Sequence, residues 1–103
     1  MNNKYSLFDK TNALMEILPL INPLLKDIDN FMSQFFKYID ASDKSLEEVT
    51  SAFYYVISTG IHVNDSMEFV SRCEKFSIGH NADFLSEVKD ALLIGNSYKY
   101  GSH

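Results

Sequence analysis

The chain has 103 residues, 46% of them hydrophobic, with four Gly and two Pro, a composition that suits one folded core and excludes two domains or a disordered chain. Fourteen acidic against nine basic residues give a net charge of −5, which excludes the basic stripe that duplex nucleic acid requires and favours a basic protein partner. A single cysteine, Cys73, excludes an internal disulfide, and "MNNKYSLFDK" carries no apolar run of secretory length, so a soluble cytoplasmic chain is expected.

From Phe8 to Leu18 the apolar residues Ala13, Leu14, Ile17 and Leu18 recur at helical spacing, and Pro19 forbids continuation, so the first helix is short. The stretch "LPLINPLL" from Leu18 is broken by Asn22 and two prolines and falls short of the roughly 20 apolar residues of a membrane span. Asn22 before Pro23 restarts the chain as a helix, an N-cap side chain ahead of the one helical position where proline is at home. Leu24, Ile28, Phe31, Met32, Phe35, Phe36 and Ile39 then form an apolar stripe broad enough for a central core helix.

"DASDKS", from Asp40 to Ser45, is a loop dense in turn formers. Ser45 with Glu48 three residues on makes a capping box, and Leu46, Val49, Phe53, Val56 and Ile57 supply the core stripe of a third helix that Gly60 stops. Asp65 with Glu68 predicts the start of a short fourth helix with Phe69, Val70, Cys73 and Phe76 on one face, ending before Gly79. A fifth begins after Asn81 and runs through Phe84, Leu85, Val88, Ala91 and Leu92 to Gly95. Five helices without a convincing strand predict an all-α fold, a compact irregular bundle in one domain over residues 1–100. Gly101, Ser102 and His103, a tripeptide that often precedes a histidine tag, carry no functional weight.

Catalytic and cofactor chemistry finds no purchase in this pattern. His62, Cys73 and His80 lie eleven and seven residues apart on different elements, unlike metal ligands, and Cys73 on an apolar stripe is a core thiol rather than a nucleophile. Asp27 with Asp29, and Glu47 with Glu48, diverge around their helices and cannot converge on a reacting atom. The glycines are isolated, so no phosphate-cradling loop is formed, and no enzyme, metal or cofactor is expected.

What remains is the polar face of the third helix and the loop before it. At about 100° per residue, Glu47, Glu48, Ser51, Tyr55 and Ser58 fall on the outer side, with Tyr54 at the border of the core. Asp40, Asp43, Glu47 and Glu48 against Lys44 make this edge acidic. Exposed tyrosine beside carboxylates suits protein recognition, because the ring buries a large area at low entropic cost and the charges steer a basic partner. The partner-binding surface expected is therefore Asp40, Asp43, Glu47, Glu48, Ser51 and Tyr55.

The acidic, tyrosine-bearing stretch "DASDKSLEEVTSAFYYV" in a small helical chain resembles the immunity proteins that bacteria keep against toxins, including those of contact-dependent growth inhibition systems. The resemblance implies a monomer that binds a basic toxin domain, of nuclease type, as a heterodimer and blocks its active site stoichiometrically. A helical chaperone or adaptor of a secretion system is the alternative, and it would show an apolar groove to a partner helix instead.

Overall fold

A computed structural model of the protein describes residues 4–21 and 28–95. These form α1 (Leu7–Ile17), a 3-10 turn (Leu18–Leu20), α2 (Ile28–Ala41), α3 (Leu46–Ser58), α4 (Val63–Gly79) and α5 (Phe84–Gly95), with no strand among the described residues. The fold is the expected all-α bundle. The expected helix restart at Asn22, Pro23 and Leu24 lies outside the described residues, as do Gly101, Ser102 and His103.

The ends of α1 and α3 have local chemical causes. Ser6 Oγ accepts the Asp9 N–H at 3.0 Å and opens α1, while Pro19 turns its far end into the 3-10 turn. Ser45 and Glu48 form the capping box in both directions, which satisfies donors that α3 would otherwise leave bare and contributes about 1 kcal/mol. Gly60 follows at φ 111°, with its N–H on Ile57 O (3.1 Å) and the Ile61 N–H reaching back to Val56 O (3.3 Å). This left-handed closure is the stop that the glycine foretells.

Three expectations about α4 are corrected. The helix starts at Val63 rather than at Asp65, because His62 Nδ1 accepts the Asn64 N–H at 3.1 Å and caps it. It runs for 17 residues rather than being short. Its buried stripe is Val63, Ser66, Val70, Cys73, Glu74 and Ser77, and Phe76 stands 49% exposed. Small polar residues continue the core face where apolar ones stop, since Ser66 and Ser77 turn their hydroxyls onto Val63 O (2.7 Å) and Glu74 O (2.8 Å) of their own helix. Asn81, not a glycine, takes the left-handed position beyond the end at φ 50°, and the Ala82 N–H returns to Ser77 O at 2.8 Å.

The core is organised on α3, which packs against α1, α4 and α5. Phe53 of α3 inserts edge-on between Phe35 (5.1 Å between centroids, 88°) and Tyr38 (5.7 Å, 86°) of α2, and Phe31 closes the group at 6.0 Å. Removing a ring of this size from water contributes roughly 3 kcal/mol, and each edge-to-face pair adds about 1. Val49, Ala52 and Val56 share the same fully buried face. α1 and α3 run in the same direction: Tyr5 Oη accepts the Leu46 N–H at 3.2 Å at one end, and Leu20 and Ile21 share a cleft with Ile57 and Gly60 at the other. Parallel neighbours of this kind leave a furrow between their outer faces.

Candidate acidic docking face

That furrow, of about 250 Å3, is lined by Asp9, Asn12, Ala13 and Glu16 of α1 and by Leu46, Glu47, Thr50 and Ser51 of α3. The α1 set follows i, i+3, i+4, i+7 and the α3 set i, i+1, i+4, i+5, so each is one continuous stripe of its helix. Among the described residues, three carboxylates and no cation line it. Thr50 is buried because its hydroxyl donates to Leu46 O at 2.7 Å, so the floor is uncharged and the acids sit on the walls.

Apolar side chains stand along the outer shoulders. Phe8 is 73% and Met15 61% exposed on α1, and both fall within about 60° of Asn12 around that helix. On α3 the stripe Glu47, Thr50, Ser51 continues one step further to Tyr54, which is 44% exposed. The face thus combines carboxylates with bulky rings on two helices held parallel by the core.

The six residues expected from sequence divide on this structure. Glu47 and Ser51 lie in the furrow. Glu48 is bent back to its own cap, its Oε1 3.2 Å from both Ser45 N and Ser45 Oγ. Asp43 is exposed in the loop, its backbone N–H held by Glu74 Oε2 at 3.4 Å. Asp40 is corrected from a surface acid to an internal one: it pairs with Lys10 Nζ at 2.7 Å, with the two side chains 14% and 7% exposed. The Lys10 hydrogen bond holds the Asp40 carboxyl below the usual carboxylate range against the opposing effect of burial. Lys10 also lies 5.6 Å from the Phe36 ring centroid, so its ammonium is fully committed to the interior.

The assignment of the two tyrosines is reversed. Tyr55, expected on the outer surface, is half-buried against the core, and Lys89 Nζ of α5 lies over its ring at 4.8 Å. Tyr54, expected at the core border, is the exposed ring. The helical spacing is right, but α5 closes over the Tyr55 side of α3 and leaves the Tyr54 side open.

Sequence reasoning passed over one polar centre. Glu74, 8% exposed, accepts from Tyr38 Oη at 2.6 Å and Ser42 Oγ at 2.8 Å, and so ties α4 to the end of α2 and to the following loop. Ser42 Oγ accepts the Lys44 N–H at 3.0 Å, and Lys4 Nζ donates to Ser42 O, so the loop is pinned from three sides. Burial and the Glu74 hydrogen bond push the Tyr38 phenol far above its ordinary range. Only the alternation of Ser66, Val70, Cys73 and Ser77 in sequence places residue 74 at the edge of a buried face.

The residues weighed as metal ligands have other employment. His62 caps α4, His80 stacks on Phe76 with centroids 3.9 Å apart, and burial, with Glu87 nearby, pushes the Cys73 thiol up to about 11. Among the described residues no three of His, Cys, Asp and Glu gather where a metal ion could be held, and no helix is long and apolar enough to cross a membrane. Comparison with protein-family models, curated proteins and solved structures finds no match to this chain.

Proposed function

We propose that this protein is a cytoplasmic immunity protein that binds a basic toxin domain in a one-to-one complex through the outer face of α1 and α3. The observation that carries the reading is the furrow that Asp9, Glu16 and Glu47 line together, with no cation among its described lining residues, flanked by exposed Phe8, Met15 and Tyr54. Carboxylates on both walls attract a basic cleft and set its orientation, and the rings supply desolvated area once it has arrived. A toxin that binds nucleic acid needs its basic cleft free, so an acidic body seated there inhibits by occupation and requires no chemistry of its own. Asp43, at the Leu46 end of the same helix, extends the charge toward the partner.

Calorimetry against basic nuclease toxin domains tests the reading. The expected result is 1:1 binding that weakens as salt rises, and a loss of at least tenfold in affinity for the Glu16→Lys, Glu47→Lys double variant. Unchanged affinity in that variant refutes the face; binding without inhibition of the toxin refutes the mechanism. A chaperone or adaptor role draws support from another observation, the exposed Phe76, Leu93 and Ile94. It requires the isolated protein to bind hydrophobic dye or to self-associate.

A further inference from the structure

A second groove lies on the other side of α3, between α4 and α5. It encloses about 350 Å3, with Phe69, Cys73 and Phe76 on the α4 wall and Ala91 and Ile94 on the α5 wall. Each wall is one stripe at the same spacing: positions 69, 72, 73 and 76 face positions 87, 90, 91 and 94, so the groove runs for about two helical turns. Phe76 and Ile94 remain 49% and 58% exposed at its mouth, and Leu93 beside them is 67% exposed. Two turns of apolar wall with exposed apolar side chains at the mouth is the form that receives the anchor residues of an amphipathic helix.

Charge fixes the character of that helix. Glu87 and Asp90 stand on the α5 wall. Among the described residues the one cation lining the groove is Arg72, and it is held by Glu68 at 2.5 Å one turn earlier on its own helix. Lys89, between the two acids in sequence, is turned away over Tyr55. The groove is therefore apolar at its base and negative along one margin.

We propose that the α4–α5 groove docks an amphipathic helix of a partner protein that is apolar on one face and basic at its edge. The apolar anchors enter between Phe69, Phe76, Ala91 and Ile94, and Lys or Arg a turn away meets Glu87 and Asp90. This surface is separate from the α1–α3 face, and the proposal stands whether or not the immunity reading does.

Three synthetic 18-residue peptides test it: a Leu/Lys amphipathic helix, its Leu/Glu counterpart, and a Ser/Lys peptide of equal positive charge without an apolar face. Titrations followed by amide chemical shifts should show saturable binding of the Leu/Lys peptide alone, with shifts centred on α4 and α5. The Leu/Lys peptide should also slow modification of Cys73 by a thiol reagent, since Cys73 is among the residues that line the groove. Ile94→Lys, at an exposed position that does not burden folding, should weaken binding by about tenfold or more. Equal binding of the Leu/Glu or Ser/Lys peptide, shifts centred on Asp9, Glu16 and Glu47, or undiminished affinity in Ile94→Lys would each overturn the proposal. The Glu16→Lys, Glu47→Lys variant should bind the Leu/Lys peptide like the parent chain, which separates failure here from failure of the α1–α3 reading.

Discussion

Replacing Glu74 by Leu probes a polar centre that joins α2, the following loop and α4. The carboxylate accepts Tyr38 Oη at 2.6 Å, Ser42 Oγ at 2.8 Å and, at the longer distance of 3.4 Å, the Asp43 N–H. Leu matches the site in size but leaves two hydroxyl donors without their acceptor, each costing about 1 to 3 kcal/mol when kept from water. Part of this is offset by better burial of an apolar side chain, so the expected loss is about 3 kcal/mol, or roughly 12 to 24 °C in Tm for a chain of this length. Tyr38→Phe removes only one donor and leaves Glu74 on Ser42, so it should cost about 1 kcal/mol. In urea denaturation followed by helical circular dichroism, the double variant should lose about 1 kcal/mol less than the sum of the single losses, because both substitutions remove the same bond. A Glu74→Leu chain within about 0.5 kcal/mol of the parent, or strict additivity, refutes the view that this cluster fixes the α2–α3 loop to α4.

Gly60 and Gly79 should respond to alanine with opposite signs. Gly60 has open space around a built Cβ but sits at φ 111°, so Gly60→Ala should lower stability by about 1 to 2 kcal/mol through backbone strain alone. Gly79, helical and equally open, should gain about 0.5 to 1 kcal/mol as alanine; both shifts are read from Tm. Cys73, with its thiol pushed up to about 11, has a thiolate fraction near one in a thousand at about pH 8, and should react with a disulfide reagent roughly a hundredfold more slowly than a free cysteine. The rate should climb steeply as pH rises through 10. Asp40 has its carboxyl held below the usual range, so the unfolded chain takes up protons first as the solution is acidified, and stability falls with pH from about pH 5 downward. Asp40→Asn should be less stable at neutral pH and show a shallower acid limb in denaturation midpoints.

The helices were legible in the sequence wherever a local signal and the apolar period agreed. Ser45 with Glu48 and the Gly60 stop bound α3 correctly because both ends depend on contacts within a few residues. α4 departs from the expectation at its start and along its buried face, because the residues there carry no apolar signal. His62 caps through a ring nitrogen, a role its residue type seldom signals, and Ser66, Glu74 and Ser77 occupy buried positions that polarity assigns to solvent. Asp40 fails similarly, since nothing local reveals that Lys10, thirty residues away, will be its partner. Charge in sequence is visible, whereas its neutralisation depends on the fold.

The tyrosine pair shows where such reading ends and what replaces it. The period of the helix ranks Tyr54 and Tyr55 the wrong way: about 100° apart, Tyr55 falls nearer the direction opposite the core stripe and Tyr54 nearer its border. The ranking comes from the neighbours of α3. α5 lies along one flank and brings Lys89 over Tyr55, whereas α1 lies along the other and leaves an open furrow whose stripe Tyr54 extends. A cation over a ring stabilises about 0.5 to 1 kcal/mol at a partly exposed site, enough to fix that side chain but not to recruit a partner. Tyr55→Phe should consequently preserve this contact and any binding, while Tyr54→Ala should leave Tm nearly unchanged and weaken a basic partner by about tenfold, as expected of an exposed ring beside carboxylates. If Tyr55→Phe weakens the partner and Tyr54→Ala does not, the docking face lies toward α5 and the α1–α3 furrow is only a seam between parallel helices.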